Sequence, residues 1–257
     1  MNPKISLILP VYNASPFVAE AIQSIKEQTL DSKDFEVIIL DDCSIDTSKE
    51  VILDSINGMK NIRFISNQKN LGTSGARNKA IESADSNLIT LLDADDLLEP
   101  TALESTLKFI QSNPNVKYSY SMHKRVDTSG KFICNRQGYP YSKRRLLHFN
   151  FVGPLKCFDR ELHNAIGGYE RGNSVEDWDH VLKASELLGE TQIKQNKEFL
   201  YLYRIHGMNN TIANINKVRA SAVKTLDNAL KRRGINAKAR FSHKTTEGYS
   251  YYTWEKK

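Results

Sequence analysis

Short apolar runs alternate with helix-spaced apolar positions through the first half of the chain. Residues 4–9, 37–40, 62–65 and 88–92 are of strand length and mostly apolar, which predicts strands buried on both faces. Between them, Phe17, Val18, Ala21, Ile22 and Ile25 recur at helical spacing behind Ser15-Pro16, an N-cap followed by proline at the first helical position. Thr47 and Glu50 have capping-box spacing ahead of Val51, Ile52 and Ile56. Ala76, Ala80, Ile81 and Ala84 form a third, narrow stripe. Strand and helix repeated in this order predict an α/β fold with a parallel sheet.

After Pro114 the rhythm changes. Residues 116–122, 132–135 and 151–158 read as strands around polar loops. Residues 175–188 read as a helix with Trp178, Val181, Leu182 and Leu188 on one side. Residues 199–206 form a strand in which Arg204 and His206 share a face, and residues 215–230 an amphipathic helix followed by a Lys- and Tyr-rich tail.

Composition adds exclusions. With 257 residues, 40% hydrophobic and 26% charged, the chain supports a packed core and is far from a disordered composition. No apolar run approaches the ~20 residues that cross a bilayer, and residues 1–10 carry too little charge and apolar length for a secretory leader. Cys43, Cys134 and Cys157 lie far apart without a CxxC, so neither a disulfide scaffold nor a cysteine-zinc site is expected, and a reducing cytoplasm is. Charge divides unevenly. Up to Ser112 there are 10 Lys and Arg against 17 Asp and Glu; from Asn113 onward there are 26 against 13, and from Lys217 onward 11 against 3. An acidic half suits a bound cation, and a basic end suits an anionic partner or surface.

In parallel sheets ligands bind at the carboxyl ends of the strands. Polar residues collect there: Pro10-Val11-Tyr12-Asn13, then Asp41-Asp42-Cys43-Ser44-Ile45-Asp46, then Asp93-Ala94-Asp95-Asp96. The third strand leads into Asn70-Leu71-Gly72-Thr73-Ser74-Gly75-Ala76-Arg77, a glycine-containing loop opening a helix, which suits a phosphate. Ser44 and Asp46 are equally well read as helix caps. The carboxylates of Asp93, Asp95 and Asp96 repel one another beside an apolar strand, and a hard divalent cation such as Mg²⁺ or Mn²⁺ would compensate them.

The segments VYNASPFVAEAIQSIKEQT, VIILDDCSIDTS, NLGTSGARNKAI and LITLLDADD resemble, in order and spacing, the nucleotide-sugar-binding half of family-2 inverting glycosyltransferases with the GT-A fold. GGYERGNSVEDWD and YRIHG resemble that family's acceptor side. The resemblance runs from about Ile5 to Gly207. It implies a Rossmann-like, mostly parallel central sheet flanked by helices, with residues 1–112 as the nucleotide-sugar half and 113–210 as the acceptor half. Residues 211–257 are left as a C-terminal helical extension, a basic amphipathic helix and tail.

The same resemblance implies residue roles. Pro10, Tyr12 and Asn13 would flank the nucleotide base, with Asp42 or Asp41 accepting the uracil imide proton. Gly72 and Arg77 would approach the base or diphosphate, Asp93 the ribose or metal and Ala94 the nucleotide sugar, and Asp95 would ligate Mn²⁺ or Mg²⁺, with Asp96 in support. Asp177 takes the place of the catalytic base and Glu176 a supporting carboxylate; first-turn capping with Ser174 is the competing reading. His206 would complete the metal site and Arg204 meet the diphosphate. Tyr169 and Trp178 would line the acceptor pocket.

The expected partners are a UDP-sugar donor and a glycan or lipid-linked acceptor, with homodimerisation open and nucleic acid not expected. A nucleotidyltransferase would carry a glycine-rich basic loop after the first strand, which VYNASPF lacks. A phosphoacceptor receiver would be about half as long and place its acidic pair after the first strand. A sugar-nucleotide-binding module without activity is opposed by the intact Asp93, Asp95 and Asp177. For the tail, a stripe of Ile212, Ile215, Val218, Val223, Leu226 and Leu230 either docks on the domain or, with the lysines and the closing aromatics, meets an anionic membrane.

Overall fold

The computed structural model describes residues 3–207, 214–245 and 250–256. Strands β1 (Ile5–Val11), β2 (Phe35–Asp41), β3 (Ile62–Ser66) and β4 (Leu88–Leu91) lie in the order β3-β2-β1-β4, all parallel. Helices α1 (Val18–Lys26), α2 (Ser48–Ser55) and α3 (Gly72–Glu82) connect them. β1 and β2 are enclosed on both faces, as their apolar runs predict. β3 is not: it is the edge strand, and none of its residues is fully buried.

The expected helix starts differ. α1 begins at Val18, leaving Pro16 in the preceding turn, and Ser15 does not cap it. Thr47 precedes α2 but makes no capping bond, so the box with Glu50 does not form. The polar residues after β2 serve the other loop instead. Asn13 N–H donates to Ser44 Oγ (3.0 Å), Ala14 N–H to Ser48 Oγ (2.8 Å) and Ser15 N–H to Asp46 Oδ2 (3.1 Å). These bonds satisfy backbone donors ahead of α1 and stitch two strand-end loops into one rim.

The second half contains β5 (Leu97–Leu98), α4 (Ala102–Gln111), β6 (Tyr118–Val126), β7 (Phe132–Arg136), α5 (Lys143–Leu146), β8 (Cys157–Asp159), α6 (Arg160–Ala165), α7 (Glu176–Leu187) and β9 (Ile193–Arg204). The sheet continues β4-β8-β6-β9-β5, with β7 on β6. Here only β6 and β9 are parallel; β8, β7 and β5 pair antiparallel, so the sheet is parallel in one half and mixed in the other. The strand expected over 151–158 shrinks to three residues. Gly153 explains part of this, because a Cβ there would lie 2.6 Å from the Ser121 carbonyl oxygen and only glycine lets the loop press against β6.

Among the described residues two apolar cores form. One gathers Leu7, Val18, Ile22, Ile39 and Leu103, the other Ile8, Ile81, Tyr118, Trp178 and Leu182. Helix α8 (Ile215–Arg232) buries Ala222, Leu226, Ala229 and Leu230 in the second core, each leucine contributing about 1.5–3 kcal/mol. The apolar stripe therefore docks. The chain after it is not an open tail but an antiparallel ribbon of β10 (Ala237–Lys244) and β11 (Ser250–Lys256). Tyr252 packs on Trp178 (ring centroids 5.4 Å apart) and donates its N–H to the His148 carbonyl, and Tyr251 and Trp254 stack on His148. Ile212, Tyr249 and the boundary at 210/211 lie outside the described residues. All three cysteines are free, and among the described residues no helix is long and apolar enough to cross a membrane.

Candidate active site

A cavity of ≈ 860 Å³ opens at the carboxyl ends of β1, β2 and β4, walled by the first turns of α3 and α7. It brings together Pro10, Tyr12, Asn13, Asp42, Gly72, Arg77, Asp93, Ala94, Asp95, Glu176, Asp177, Trp178 and His206, residues spread over nearly 200 positions of sequence. Tyr12 is 49% exposed on the rim, with its ring free to meet a flat ligand. Asn13 adopts φ +50° and accepts the Ile45 N–H on its side-chain oxygen (2.9 Å), so it shapes the rim.

The acidic pair after β2 is internal. Asp42 accepts from the Leu71 N–H (2.9 Å) and the Asn67 amide (2.7 Å), pinning the loop ahead of α3 to β2. Asp41 accepts from the Ser44 N–H (3.3 Å) and Ser66 hydroxyl (3.4 Å) and is not on the cavity wall. Of the two, only Asp42 faces the space where a base would lie.

Arg77 lines the cavity, and its guanidinium is held in a cluster of carboxylates. Its side chain is 5% exposed, and its guanidinium contacts Asp93 (2.6 Å), Glu176 (2.9 Å) and Asp177 (2.8 Å). One buried cation thus joins the DADD loop to the first turn of α7. Lys156, 7% exposed, approaches the other oxygen of Asp177 at 2.9 Å. Burial opposes the charge on Asp177, yet Lys156 and Arg77 outweigh it and hold the carboxyl well below the usual carboxylate range. Burial raises Glu176, against the pull of Arg77. Neither is a cap: Val175 precedes α7 without a side-chain bond, and its N–H goes to Asn173, leaving Ser174 uninvolved.

Past β4, Asp95 and His206 meet, with Oδ2 and Nε2 2.9 Å apart, and the imidazole packs on Phe17 (4.6 Å). Burial and the neighbouring Asp93 raise the Asp95 carboxyl. Asp96 is 1% exposed and accepts from the Tyr201 hydroxyl (2.7 Å) and the Arg204 N–H (2.7 Å). The expected three-residue metal set is not assembled, because Asp93 turns to Arg77; among the described residues no three such side chains converge. The donor chemistry nevertheless fits a divalent ion: a desolvated carboxylate and an imidazole face one space, and Asp95 and His206 would hold such an ion.

Two expected residues lie away from the cavity, and a third sits deep in its wall. Arg204 does not reach the cavity: its fully enclosed guanidinium donates to the Asp95 carbonyl (2.9 Å), the Thr128 carbonyl (2.7 Å) and Glu20 (2.7 Å) and lies over Phe17. It clamps the DADD loop. Tyr169 is 2% exposed between His180, His163 and Arg77, a core aromatic instead of a stacking platform. Trp178 is equally buried, donates its indole N–H to the Leu146 carbonyl (2.9 Å) and lines the cavity from its floor.

The sequence reading missed Lys156, Phe17 and Asn150. Leu155, at φ +51°, turns the chain so that Lys156 points at Asp177, and no local motif announces this. Asn150 sits between this cavity and a smaller one beneath it.

The model of glycosyl transferase family 2 matches residues 6–168. Chondroitin synthase of Escherichia coli is 30% identical over 257 residues, covering 99% of this chain and 36% of that protein. Hyaluronan synthase of Pasteurella multocida is 28% identical over 235 residues, covering 91% of this chain and 24% of that protein. The chain thus spans little more than a third of the first and a quarter of the second. Among solved structures, Staphylococcus aureus TarS 1–349 in complex with UDP-GlcNAc superposes with a TM-score of 0.73 at 18% identity, over 88% of this chain and 66% of that one. Mannosyltransferase PcManGT from Pyrobaculum calidifontis, in complex with GDP-Man and Mn²⁺, superposes at 0.70 and 18% identity, over 90% and 65%. The family match over residues 6–168 and the likeness of fold agree: the chain belongs to glycosyltransferase family 2 and has the GT-A fold.

Proposed function

We propose that the protein transfers a sugar from a UDP-sugar to a hydroxyl of a glycan or lipid-linked acceptor, with inversion, in the building of a surface polysaccharide. The observation that carries this reading is the Arg77 cluster, which sets Asp93 of the donor side against Glu176 and Asp177 of the acceptor side across one cavity. The nucleotide base lies against Tyr12 and Pro10 above Asp42. The diphosphate faces the first turn of α3, whose N–H groups favour an anion.

In the transfer, the acceptor oxygen attacks the anomeric carbon from the face opposite the diphosphate. The bond from that carbon to the diphosphate oxygen breaks, and the diphosphate leaves with the electron pair. The hydroxyl proton passes to Asp177, while Glu176 orients the acceptor. No nucleophile on the protein is required. Asp177 is a weak base while Arg77 and Lys156 hold it, and a diphosphate drawing Arg77 away would raise its basicity. Asp95 and His206 would hold a divalent ion, which when bound offsets charge on the diphosphate.

The relatives named chondroitin and hyaluronan synthase and the neighbours with UDP-GlcNAc or GDP-Man support a nucleotide-sugar donor. Residues 1–112 act as the donor half and 113–210 as the acceptor half. The exposed lysines of α8 and the ribbon would hold the enzyme against an anionic membrane from the cytoplasmic side. The test is a donor screen by released nucleotide, with Mn²⁺ or Mg²⁺ against a chelator. Release of UDP from one UDP-sugar, dependent on metal, is the expected outcome; release from none overturns the reading.

A further inference from the structure

Beneath the donor cavity lies a second one of ≈ 300 Å³, which shares Arg77, Asp93 and Asp177 with it. The opposite wall is basic. His123 and Arg125 lie two positions apart on β6 and so face one way, and Lys156 closes the side nearer Asp177. Arg136 stands opposite His123 in register on β7. Burial and then the charges of Arg125, Arg136 and Lys156 push the His123 imidazole down to about 3, so His123 adds no charge of its own to these cations.

The acidic members of this cavity are all engaged. Asp93 and Asp177 bind Arg77, Asp177 also binds Lys156, and Asp96 accepts from Tyr201 and the Arg204 N–H. The basic wall is less completely matched. Arg125 Nε is buried without a hydrogen-bond partner, and so is the side-chain oxygen of Asn150, at the junction of the two cavities. A buried guanidinium N–H calls for an acceptor, ideally an anionic one that meets the planar fork; a buried amide oxygen calls for a donor such as a hydroxyl. A sugar that carries an oxyanion supplies both.

We propose that the smaller cavity is the acceptor subsite and that the acceptor it takes carries an oxyanion, a uronic-acid carboxylate or a phosphate, bound by Arg125, with hydroxyls at Asn150 and Asp177. The inference rests on the donor-site reading above and adds the class of acceptor. It also gives Lys156 a second task, as it borders both the base and the anion.

The test is a ligand-observed NMR titration of the full chain, with UDP and Mg²⁺ present, using three probes of one ring: methyl glucuronide, methyl glucoside and methyl glucoside 6-phosphate. One or both charged probes are expected to bind at least about tenfold more tightly than the neutral one, as a charge-assisted bond implies. Whichever of the two is preferred identifies the anion. Arg125→Gln should erase the gap and Arg125→Lys keep part of it. Equal affinities in the wild-type protein overturn the proposal, a comparison that stands whether or not the variants fold well; so does a gap that survives in a folded Arg125→Gln. UDP released from the donor without acceptor, measured separately, reports the donor-site reading on its own.

Discussion

Arg77 Nη1 lies 2.8 Å from the Asp177 carboxylate, a contact between residues 100 positions apart that fixes the first turn of α7 against α3. The same guanidinium holds Asp93 and Glu176. Removing it would leave Asp93 and Glu176 without a cation and Asp177 with Lys156 alone. Arg77→Ala is therefore expected to cost about 3–5 kcal/mol of stability, read from the denaturant midpoint, whereas Arg77→Lys, with charge but no fork, should lose less. An Arg77→Ala protein as stable as the parent would show that the cluster is not a structural tie.

Asp95 and His206 give a separate prediction. Asp95→Asn keeps the size of the side chain and removes the charge that draws a hard cation. In calorimetric titrations UDP should bind the parent more tightly with Mn²⁺ than with chelator, and the variant equally in both. A variant that keeps the parent's metal dependence would place the ligand elsewhere.

The cavity wall at the strand ends was legible because its residues are local in sequence. Asp42, Asp93 and Asp95 follow apolar strands at short spacing, and strand ends are where parallel sheets bind ligands. Arg204 shows the limit. Its alternation with His206 was readable, yet its partner Glu20 is 184 positions away, so the sequence could not show that Arg204 clamps a loop. Lys156 was invisible for a similar reason, since its role depends on the backbone turn at Leu155. The terminal ribbon was unreadable because β10 alternates Lys238 and Arg240 with small residues and β11 sets Tyr251 and Tyr252 side by side, patterns that also fit a solvated tail.

His163 and His180 touch in the core, Nδ1 to Nε2 at 3.0 Å, and burial lowers both, His163 to about 4 and His180 further, with His163 adding to the latter. Both are neutral when folded at pH values where the unfolded chain protonates them. The unfolded state then binds more protons, so stability falls as pH drops from about 6.5 toward 4, by up to about 1.4 kcal/mol per pH unit for each histidine. Denaturation midpoints across this window should slope less steeply in His180→Gln. An unchanged slope would assign the acid sensitivity to other groups.

For the C-terminal segment, co-sedimentation with anionic but not neutral vesicles, released by moderate salt, is the expected behaviour. Truncation after Gly234 is unsuitable as a control, because it would strip Tyr252 from Trp178 and from the cavity wall. Replacing the exposed Lys217, Lys224 and Lys231 with Gln leaves the packing in place and should weaken sedimentation. Equal recovery with both vesicle types would leave α8 as a docked helix alone.

The most direct test of the account separates binding from chemistry at Asp177. Asp177→Asn keeps the shape of the side chain, can still accept a hydrogen bond from Arg77, and cannot take a proton at neutral pH. The measurement is turnover of the identified UDP-sugar beside the UDP affinity of the same protein. The account predicts an affinity close to the parent's and a turnover lower by about 10²–10⁴. Turnover at the parent rate in a folded Asp177→Asn protein would contradict it.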